Sequence, residues 1–391
     1  MTPEGFLFST VKASIKEPHR KDLALIYSKV EANIAGTFTT NKIKAAPVRL
    51  DMEKIKSGRG QAIVVNSGNA NACTGEKGLL DAVEIIKKIA DSLKIKPSLI
   101  YMCSTGVIGV PLPMEKIRKK IPELIRNIGK SEIEDIAKAM MTTDTFPKII
   151  SKGIKIGNKE GKIVGICKGA GMICPDMATM LCFLMTDIAV ERDTLDKTLR
   201  EAVEQSFNRI TVDGCQSTND TVLMMANGVI GNSLLTKKSG SYLSFKEAID
   251  EITYELARLI VKDGEGATKL IEVEVKGARS ERDAEKAAFA IANSNLVKTA
   301  IYGNDPNWGR IMAAIGHSGI EIKEEKIDIY FGEVKTVGDG VCTGRDKYVE
   351  KILKKKEIRL IIDLKLGKSS AKVLTCDLTE DYIRANKAYR T

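Results

Sequence analysis

The chain has 391 residues, of which 43% are apolar and 29% are charged, a composition typical of a globular protein with a large core. No apolar run approaches the length of a membrane span and no secretory signal opens the chain, so we expect a cytoplasmic protein with no membrane partner. The 61 basic and 51 acidic residues give a net charge of +10. Lysines and glutamates are interleaved and aromatic residues are scarce, which argues against a nucleic-acid partner.

Helix and strand patterns alternate along the chain and predict an α/β protein with layered β-sheets flanked by helices. In chain order, the pattern predicts strands at 62–65, 163–166, 180–185, 221–225, 270–275, 327–331 and 359–362. Apolar residues at helical spacing predict an amphipathic helix over 79–93, with an apolar face of Leu79, Leu80, Val83, Ile86, Ile89, Ala90 and Leu93. Ser244 with Glu247, and Ser280 with Asp283, match helix starts of the capping-box type. We expect a main catalytic body of residues 1–280 and a smaller C-terminal lobe of residues 281–391.

The segment 168–181, Lys-Gly-Ala-Gly-Met-Ile-Cys-Pro-Asp-Met-Ala-Thr-Met-Leu, presents a threonine after a glycine-rich turn. The small Ala178 leaves the peptide carbonyl before Thr179 open to attack by the Thr179 hydroxyl. Cleavage there would make Thr179 a chain start whose own amine acts as general base. The alternative is that Thr179 simply opens the buried strand at 180–185, as β-branched residues often do.

Histidine, cysteine and metal chemistry have little support in the sequence. The two histidines, His19 and His317, lie in turns of charged and of small residues, so we interpret both as surface or structural. The eight cysteines show no Cys-x-x-Cys pair and no histidine nearby, which predicts reduced thiols and no metal site. Cys215 is expected to be a small buried residue without a catalytic role.

From near the N-terminus to the last residue, ordered motifs resemble the glutamate N-acetyltransferase family, the ornithine acetyltransferases of arginine biosynthesis. The motifs that carry the resemblance are Gly36–Asn41, Lys44–Val48, Asn66–Gly75, Ser104–Gly109, Met141–Thr145, Lys168–Leu181, Ser217–Thr221, Asp263–Lys269, Gly303–Arg310 and Tyr389–Thr391. One departure is the stretch Asp213-Gly214-Cys215-Gln216, where the family has an Asp-Thr pair before its Ser-Thr-Asn-Asp-Thr motif.

The resemblance implies a fold of sheets sandwiched between helical layers, of the N-terminal-nucleophile kind. It further implies self-cleavage between Ala178 and Thr179 into an α chain of residues 1–178 and a β chain of residues 179–391. Thr179 is then the nucleophile, while the side chain of Thr105 and the amide of Gly106 form the oxyanion hole.

The resemblance also implies that substrate is bound by Thr145, Lys168, Thr179, Glu265, Asn386 and Thr391. Lys168 suits a substrate carboxylate, and Glu265 suits the ammonium of an ornithine side chain. The implied reaction is ping-pong transfer of acetyl from N2-acetyl-L-ornithine to L-glutamate, with no required cofactor and with acetyl-CoA as an alternative donor. The implied assembly holds two α and two β chains.

Two other functions stay open at this point. Water in place of glutamate as acceptor would make the protein an amidohydrolase or aminopeptidase with an N-terminal nucleophile. A non-catalytic protein that binds phosphates or RNA through glycine-rich loops is the other alternative. Against it, Gly129-Lys130-Ser131 and Gly367-Lys368-Ser369 lack the upstream glycine of a phosphate-binding loop.

Overall fold

The structure, a computed structural model, describes residues 2–15, 20–174 and 180–387. Two β-sheets with helices packed against them form the described part of the chain. The elements of the N-terminal part are β1 (Phe6–Val11), β2 (Leu23–Phe38), α1 (Ala46–Lys54), β3 (Arg59–Asn69), α2 (Gly75–Leu93), β4 (Ile100–Val107), α3 (Met114–Arg126), α4 (Ile133–Met140), β5 (Lys148–Ile156), β6 (Lys159–Lys168), β7 (Leu181–Thr186), α5 (Arg192–Glu204), β8 (Thr221–Ala226) and α6 (Tyr242–Lys262).

The larger sheet has the order β4-β3-β2-β8-β7-β6-β5, with β1 paired to β2. The pairs β3–β4 and β7–β8 are parallel. Every residue of β7 and β8 is buried, because helices cover both faces of these central strands. Cys182 and Leu184 face α5 and α6, whereas Leu181 and Phe183 lie in the core formed with α4. Helices α2 and α3 cover the end of the sheet formed by β3 and β4.

The smaller sheet has the order β12-β11-β10-β13-β9-β14. Its elements are β9 (Leu270–Ala278), α7 (Glu281–Ala292), α8 (Asn295–Tyr302), α9 (Trp308–His317), β10 (Asp328–Phe331), β11 (Val334–Gly338), β12 (Val341–Cys342), α10 (Asp346–Leu353), β13 (Glu357–Asp363), β14 (Ser369–Cys376) and α11 (Glu380–Asn386). Helices α7 and α9 share an apolar core with this sheet. Leu374 and Cys376 of β14 instead join the core around α6, which ties the two sheets together.

All the strands predicted from the sequence are present, and the α/β fold with layered sheets is confirmed. Two details of the helices differ from the prediction. Helix α6 begins at Tyr242, so Ser244 lies inside the helix and Ser241 occupies the N-cap position. In α2, Leu80 and Val83 are exposed and Ala82 and Ile85 are buried in their place.

The start of the second helix was predicted correctly, since the Ser280 hydroxyl accepts the Asp283 amide at the N-cap of α7. The strand before it, β9, pairs with β13 and β14 and therefore belongs to the smaller sheet. The smaller sheet therefore includes residues from Leu270 onward, and the division into a main body of residues 1–280 and a C-terminal lobe of residues 281–391 stays a prediction. Among the described residues, the structure has no helix that is long and apolar enough to span a membrane.

Candidate active site

A cleft lies where the ends of β4 and β6 meet the loop at 211–220 and helix α11. It is lined by five of the residues expected at the site, namely Thr105, Gly106, Lys168, Glu265 and Asn386. The first and last of these residues, Thr105 and Asn386, are 281 positions apart in the sequence. Strand β8 begins shortly after the cleft-lining residue Asn219, and its first residue, Thr221, pairs with Leu181 at the start of β7.

Thr105 and Gly106 lie at the end of β4, against the end of β3. Gly106 has φ of +134°, and a Cβ at this position would come within 2.3 Å of the Gly68 carbonyl carbon. Only glycine allows the two strands to approach this closely. Asn219 fixes the neighbouring loop to the same strand end, because its side-chain amide donates to the carbonyls of Ala70 (2.7 Å) and Ser104 (2.8 Å). The donors of the expected oxyanion hole are therefore held by backbone contacts on both sides.

Lys168 is the last residue of β6, and its side chain is buried at the bottom of the cleft. Its ammonium donates to the Thr105 hydroxyl at 3.3 Å. Burial lowers the pKa of Lys168, and the negative charges of Asp144, Asp220 and Glu265 oppose this effect. A buried cation in contact with a hydroxyl donor makes this end of the cleft a site for an anionic group.

A buried ion-pair network lies behind Lys168. The Lys148 ammonium donates to Asp144 at 2.7 Å and to Asp263 at 2.5 Å, and Asp144 also accepts the amide of Gly169 at 2.7 Å. Burial alone would raise the pKa of Asp144, but Lys168 and Lys148 together hold it below its usual range. Because Gly169 follows Lys168 in the chain, this network fixes the position of the Lys168 backbone.

Thr145 is joined to this network and is not among the residues that line the cleft. Its amide donates to Asp263 at 3.0 Å, and its hydroxyl donates to the same carboxylate. Thr145 therefore contacts the buried carboxylate of Asp263 and not the cleft, and its binding of substrate stays a prediction.

Glu265 provides the carboxylate of the cleft. Its Oε2 accepts the Asn386 side-chain amide at 2.8 Å, and its backbone amide donates to the Ala170 carbonyl at 2.8 Å. A Cβ on Gly171 would lie 2.4 Å from the Glu265 carboxyl carbon, so only glycine leaves room for this side chain. Helix α11 thus brings Asn386 onto the carboxylate that the family resemblance predicts to bind the ornithine ammonium.

A second carboxylate in the cleft, Asp213, is already occupied by protein donors. It accepts the amides of Met172 (2.6 Å), Ile173 (3.0 Å) and Cys215 (3.1 Å), and the Tyr382 hydroxyl lies at 3.4 Å. Burial raises the pKa of Asp213 despite these hydrogen bonds. Asp213 therefore shapes the loop, which leaves Glu265 as the carboxylate available to a ligand.

Thr179, Ala178, Thr391 and His19 lie outside the described residues, so their expected roles stay predictions. Cys215 is exposed and lines the cleft, so the expectation that it is buried was wrong. The described ranges contain no group of three or more His, Cys, Asp or Glu side chains suited to a metal ion.

Known sequences resemble this chain over its full length. A sequence profile of the ArgJ family matches residues 7–391. The chain belongs to the ArgJ family. The arginine biosynthesis bifunctional protein ArgJ of Geobacter sulfurreducens is 51% identical over 393 residues, covering 100% of both chains. Its counterpart in Caldanaerobacter subterraneus is also 51% identical, over 100% of this chain and 98% of the relative.

The crystal structure of the Bacillus halodurans arginine biosynthesis bifunctional protein argJ is 42% identical to this chain, with a TM-score of 0.51. It covers 53% of this chain and 98% of its own. The resemblance found in the sequence motifs is therefore confirmed at the level of the ArgJ family.

Sequence reasoning assigned no role to Asp144, Lys148, Asp213 and Asp263. Asp144 and Asp263 lie inside family motifs that were recognised, Met141–Thr145 and Asp263–Lys269. The polar residues of these motifs were the available signal. Asp144 and Lys148 are only four residues apart, but the contact of Lys148 with Asp263 joins residues that are distant in sequence.

Proposed function

We propose that this ArgJ-family protein transfers the acetyl group of N2-acetyl-L-ornithine to L-glutamate, a step of arginine biosynthesis. The observation that carries the proposal is the charge pattern of the cleft. A buried cation, Lys168, and a carboxylate not used by backbone amides, Glu265, line the same cleft as Thr105 and Gly106. N-acetylornithine has a carboxylate that can pair with Lys168, an ammonium that can pair with Glu265, and an acetamide that can bind Thr105 and Gly106.

In the first half-reaction, the Thr179 hydroxyl attacks the acetyl carbonyl and its proton passes to the Thr179 α-amine. Thr105 and the Gly106 amide donate to the oxyanion of the tetrahedral intermediate. The carbon–nitrogen bond of the acetamide then breaks, and the proton on the α-amine moves to the leaving ornithine amine. The product is an acetyl ester on Thr179.

In the second half-reaction, ornithine has left and glutamate occupies the same cleft. Its amine attacks the ester carbonyl, the same donors stabilise the oxyanion, and the proton lost by the amine returns to the Thr179 oxygen. N-acetylglutamate leaves. Lys168 suits the α-carboxylate of both substrates, which explains why one cleft serves two amino acids.

Self-cleavage before Thr179 is part of the proposal, because only a free α-amine can serve as the base. The solved argJ chain of Bacillus halodurans matches over 98% of its length but covers only 53% of this chain. It is therefore about half as long as the full sequence, as expected of one product of a cut near residue 178. This supports the division into chains of residues 1–178 and 179–391.

We also propose acetyl-CoA as a second acetyl donor, with no required cofactor. The relatives are called bifunctional, and an acetyl thioester can acylate the same threonine. An assembly of two α and two β chains and a cytoplasmic location complete the proposal.

The test is a transfer assay on the purified protein with N-acetylornithine and isotopically labelled glutamate. Labelled N-acetylglutamate, formed with equimolar ornithine and parallel-line kinetics, is the expected result. Release of free acetate in place of N-acetylglutamate would assign the protein to the amidohydrolases. Replacing N-acetylornithine with acetyl-CoA in the same assay tests the second donor.

A further inference from the structure

A second groove lies between helices α7, α8 and α9, on the part of the chain that carries the smaller sheet. Its volume is about 870 Å³, against about 140 Å³ for the cleft. The cleft is small beside a CoA molecule, which carries a nucleotide on a long arm. Most of an acetyl-CoA donor must therefore lie outside the cleft, and the proposed function has so far given it no place.

The groove is basic along α7. Arg282 and Lys286 line it and are both exposed. Their acidic neighbours on the helix are paired elsewhere, since Glu281 and Glu285 lie 3.0 Å and 3.4 Å from the guanidinium of Arg209. Within the described ranges, neither Arg282 nor Lys286 has a carboxylate at ion-pair distance. The two charges are therefore available to an anionic ligand.

Helix α7 sets these cations in line with the cleft. Arg282, Lys286, Phe289 and Asn293 follow one another at intervals of four, three and four residues, so they share one face of the helix. At a rise of about 1.5 Å per residue, Lys286 is about 10 Å and Arg282 about 16 Å from Asn293. Phe289 is partly buried against the core of the smaller sheet, and its ring offers a purine base a surface for stacking.

Asn293 joins the groove to the loop of the cleft. Its side-chain oxygen accepts the Thr211 hydroxyl at 2.7 Å, and it is the nearest residue, at 3.5 Å, to a Cβ built on Gly214. Asp213 and Cys215, on either side of Gly214, line the cleft. Gly214 is exposed and has no side chain. The groove and the cleft are therefore neighbours, separated by a low and open part of this loop.

Arg310 on α9 adds a third cation to the groove. It ends the motif Gly303–Arg310, to which the proposed function gives no role. Its guanidinium donates to the Leu296 carbonyl at 2.8 Å and to the Thr299 hydroxyl at 3.3 Å. Both partners are neutral, so they hold the side chain in place and leave its charge for a ligand. His317, two turns further along α9, also lines the groove and supplies a hydrogen-bond donor.

We propose that this groove binds the phosphates of CoA when acetyl-CoA is the acetyl donor. The inference rests on the proposed function, which includes acetyl-CoA as the second donor. The arm of CoA has about thirteen bonds from sulfur to the first phosphorus, and three bonds of an extended chain span about 3.5 Å, so the arm reaches about 15 Å. With the thioester in the cleft and the arm over Gly214, the phosphates lie along the part of α7 that carries Lys286 and Arg282.

The groove leaves the transfer step unchanged. The nucleophile attacks the thioester carbonyl, the carbon–sulfur bond breaks, and the sulfur takes the proton that the attacking hydroxyl gave up. Free CoA leaves, and the acetyl ester remains for glutamate. N-acetylornithine has no phosphate, so the groove contributes to the capture of one donor and not of the other.

The test reverses the two cations of α7 in the double variant Arg282→Glu/Lys286→Glu. Steady-state rates with glutamate are measured for three donors: acetyl-CoA, N-acetylornithine, and S-acetylpantetheine, which lacks the nucleotide and its phosphates. Lys347→Glu/Lys351→Glu is the matched control. It makes the same change in net charge at two exposed residues with the same spacing, on α10 and outside the groove.

We expect the groove variant to raise the KM for acetyl-CoA by about 10-fold or more, because charge-assisted bonds to phosphate are lost. Its kcat should change by less than about threefold, as for a loss of uniform binding. The rates with N-acetylornithine and S-acetylpantetheine should stay at the wild-type level. The control should match the wild type with all three donors, which separates contact from long-range attraction. If the double variant does not fold, Gln at both positions removes the charges and should raise the same KM by at least about threefold.

A wild type that uses acetyl-CoA, beside a groove variant that keeps its KM, would overturn this inference alone. An equal rise in KM in the control would do so too, as would a parallel loss with both natural donors and a changed oligomeric mass, since the groove would then join copies of the chain. Transfer from N-acetylornithine but not from acetyl-CoA would overturn the inference and the second donor while the first reaction stands. Transfer from neither donor would contradict the proposed function itself.

Discussion

Replacing Glu265 with Gln should weaken the enzyme selectively toward substrates with a terminal ammonium. Asn386 occupies one oxygen of Glu265 at 2.8 Å, and the proposed function assigns the other oxygen to the ornithine side chain. Gln is nearly isosteric and keeps an oxygen for Asn386, so the charge is the main change. A hydrogen bond to a charged group contributes about 1.5–3 kcal/mol, which corresponds to about 10- to 150-fold in kcat/KM.

The assay is a double-mutant cycle between enzyme and substrate. N-acetylornithine is compared with N-acetylnorvaline, which has the same carbon skeleton without the terminal amine, on the wild type and on Glu265→Gln. We expect the wild type to prefer N-acetylornithine and the variant to lose most of that preference, with little change for N-acetylnorvaline.

Asp213→Asn is the control, because the Asp213 oxygens already accept the amides of Met172 and Ile173. It should lower the two rates in similar proportion. If Glu265→Gln keeps the wild-type preference within twofold, the assignment of the ornithine ammonium to Glu265 is wrong.

Three further changes test the rest of the site. Lys168→Met should lower kcat/KM by about 30-fold or more, since it removes the buried cation from its proposed pair with the substrate carboxylate. Lys152→Met, at a half-buried lysine of β5 that pairs with Glu251 away from the cleft, should have little effect, and equal activity of both variants would contradict the role of Lys168. Gly106→Ala should lower kcat by about 100-fold or more, because its Cβ would come within 2.3 Å of Gly68 and displace the backbone of the expected oxyanion hole. The control Gly153→Ala has no atom within 4 Å of the new carbon and should stay active. Asp144→Asn should lower the free energy of unfolding by about 3–5 kcal/mol at pH 7, since it breaks a buried ion pair. The pKa of Asp144 in the folded protein lies below its ordinary value. The stability contributed by ionised Asp144 is therefore complete above a pH of about 4 and is lost as the pH falls further. Urea unfolding should show a smaller difference in unfolding free energy between variant and wild type at pH 3 than at pH 7, and a constant difference would argue against ionised Asp144.

The strands were predictable because each is a short segment with continuous or alternating apolar residues, which pairing within the sheets then stabilises. Helix α2 shows where pattern alone fails. Leu80 and Val83 continue the apolar period, yet they are exposed, because the sheet contacts the adjacent face with Ala82 and Ile85. Likewise Ser244 has the right spacing for a helix start, but the chain turns into α6 earlier, at Tyr242.

The candidate site was predictable to the extent that its residues lie in recognisable motifs. Thr105, Gly106, Lys168, Glu265 and Asn386 line one cleft, and their roles in binding and catalysis stay predictions. What the sequence could not provide is the set of partners, since Lys148 joins Asp263 across 115 residues and Tyr382 reaches Asp213 across 169. No local pattern specifies such contacts, and the contact of Thr145 with Asp263 shows the same limit.

The central claim is that Thr179 becomes a chain start and then carries the acetyl group. The most direct test is intact mass and N-terminal sequencing of the purified protein, incubated with N-acetylornithine and quenched, beside Thr179→Ala. We predict two chains in the wild type, the second beginning Thr-Met-Leu and heavier by one acetyl group, and a single unmodified chain in Thr179→Ala. A wild type that stays whole and unacetylated, or a variant that is cut and active, would contradict the account.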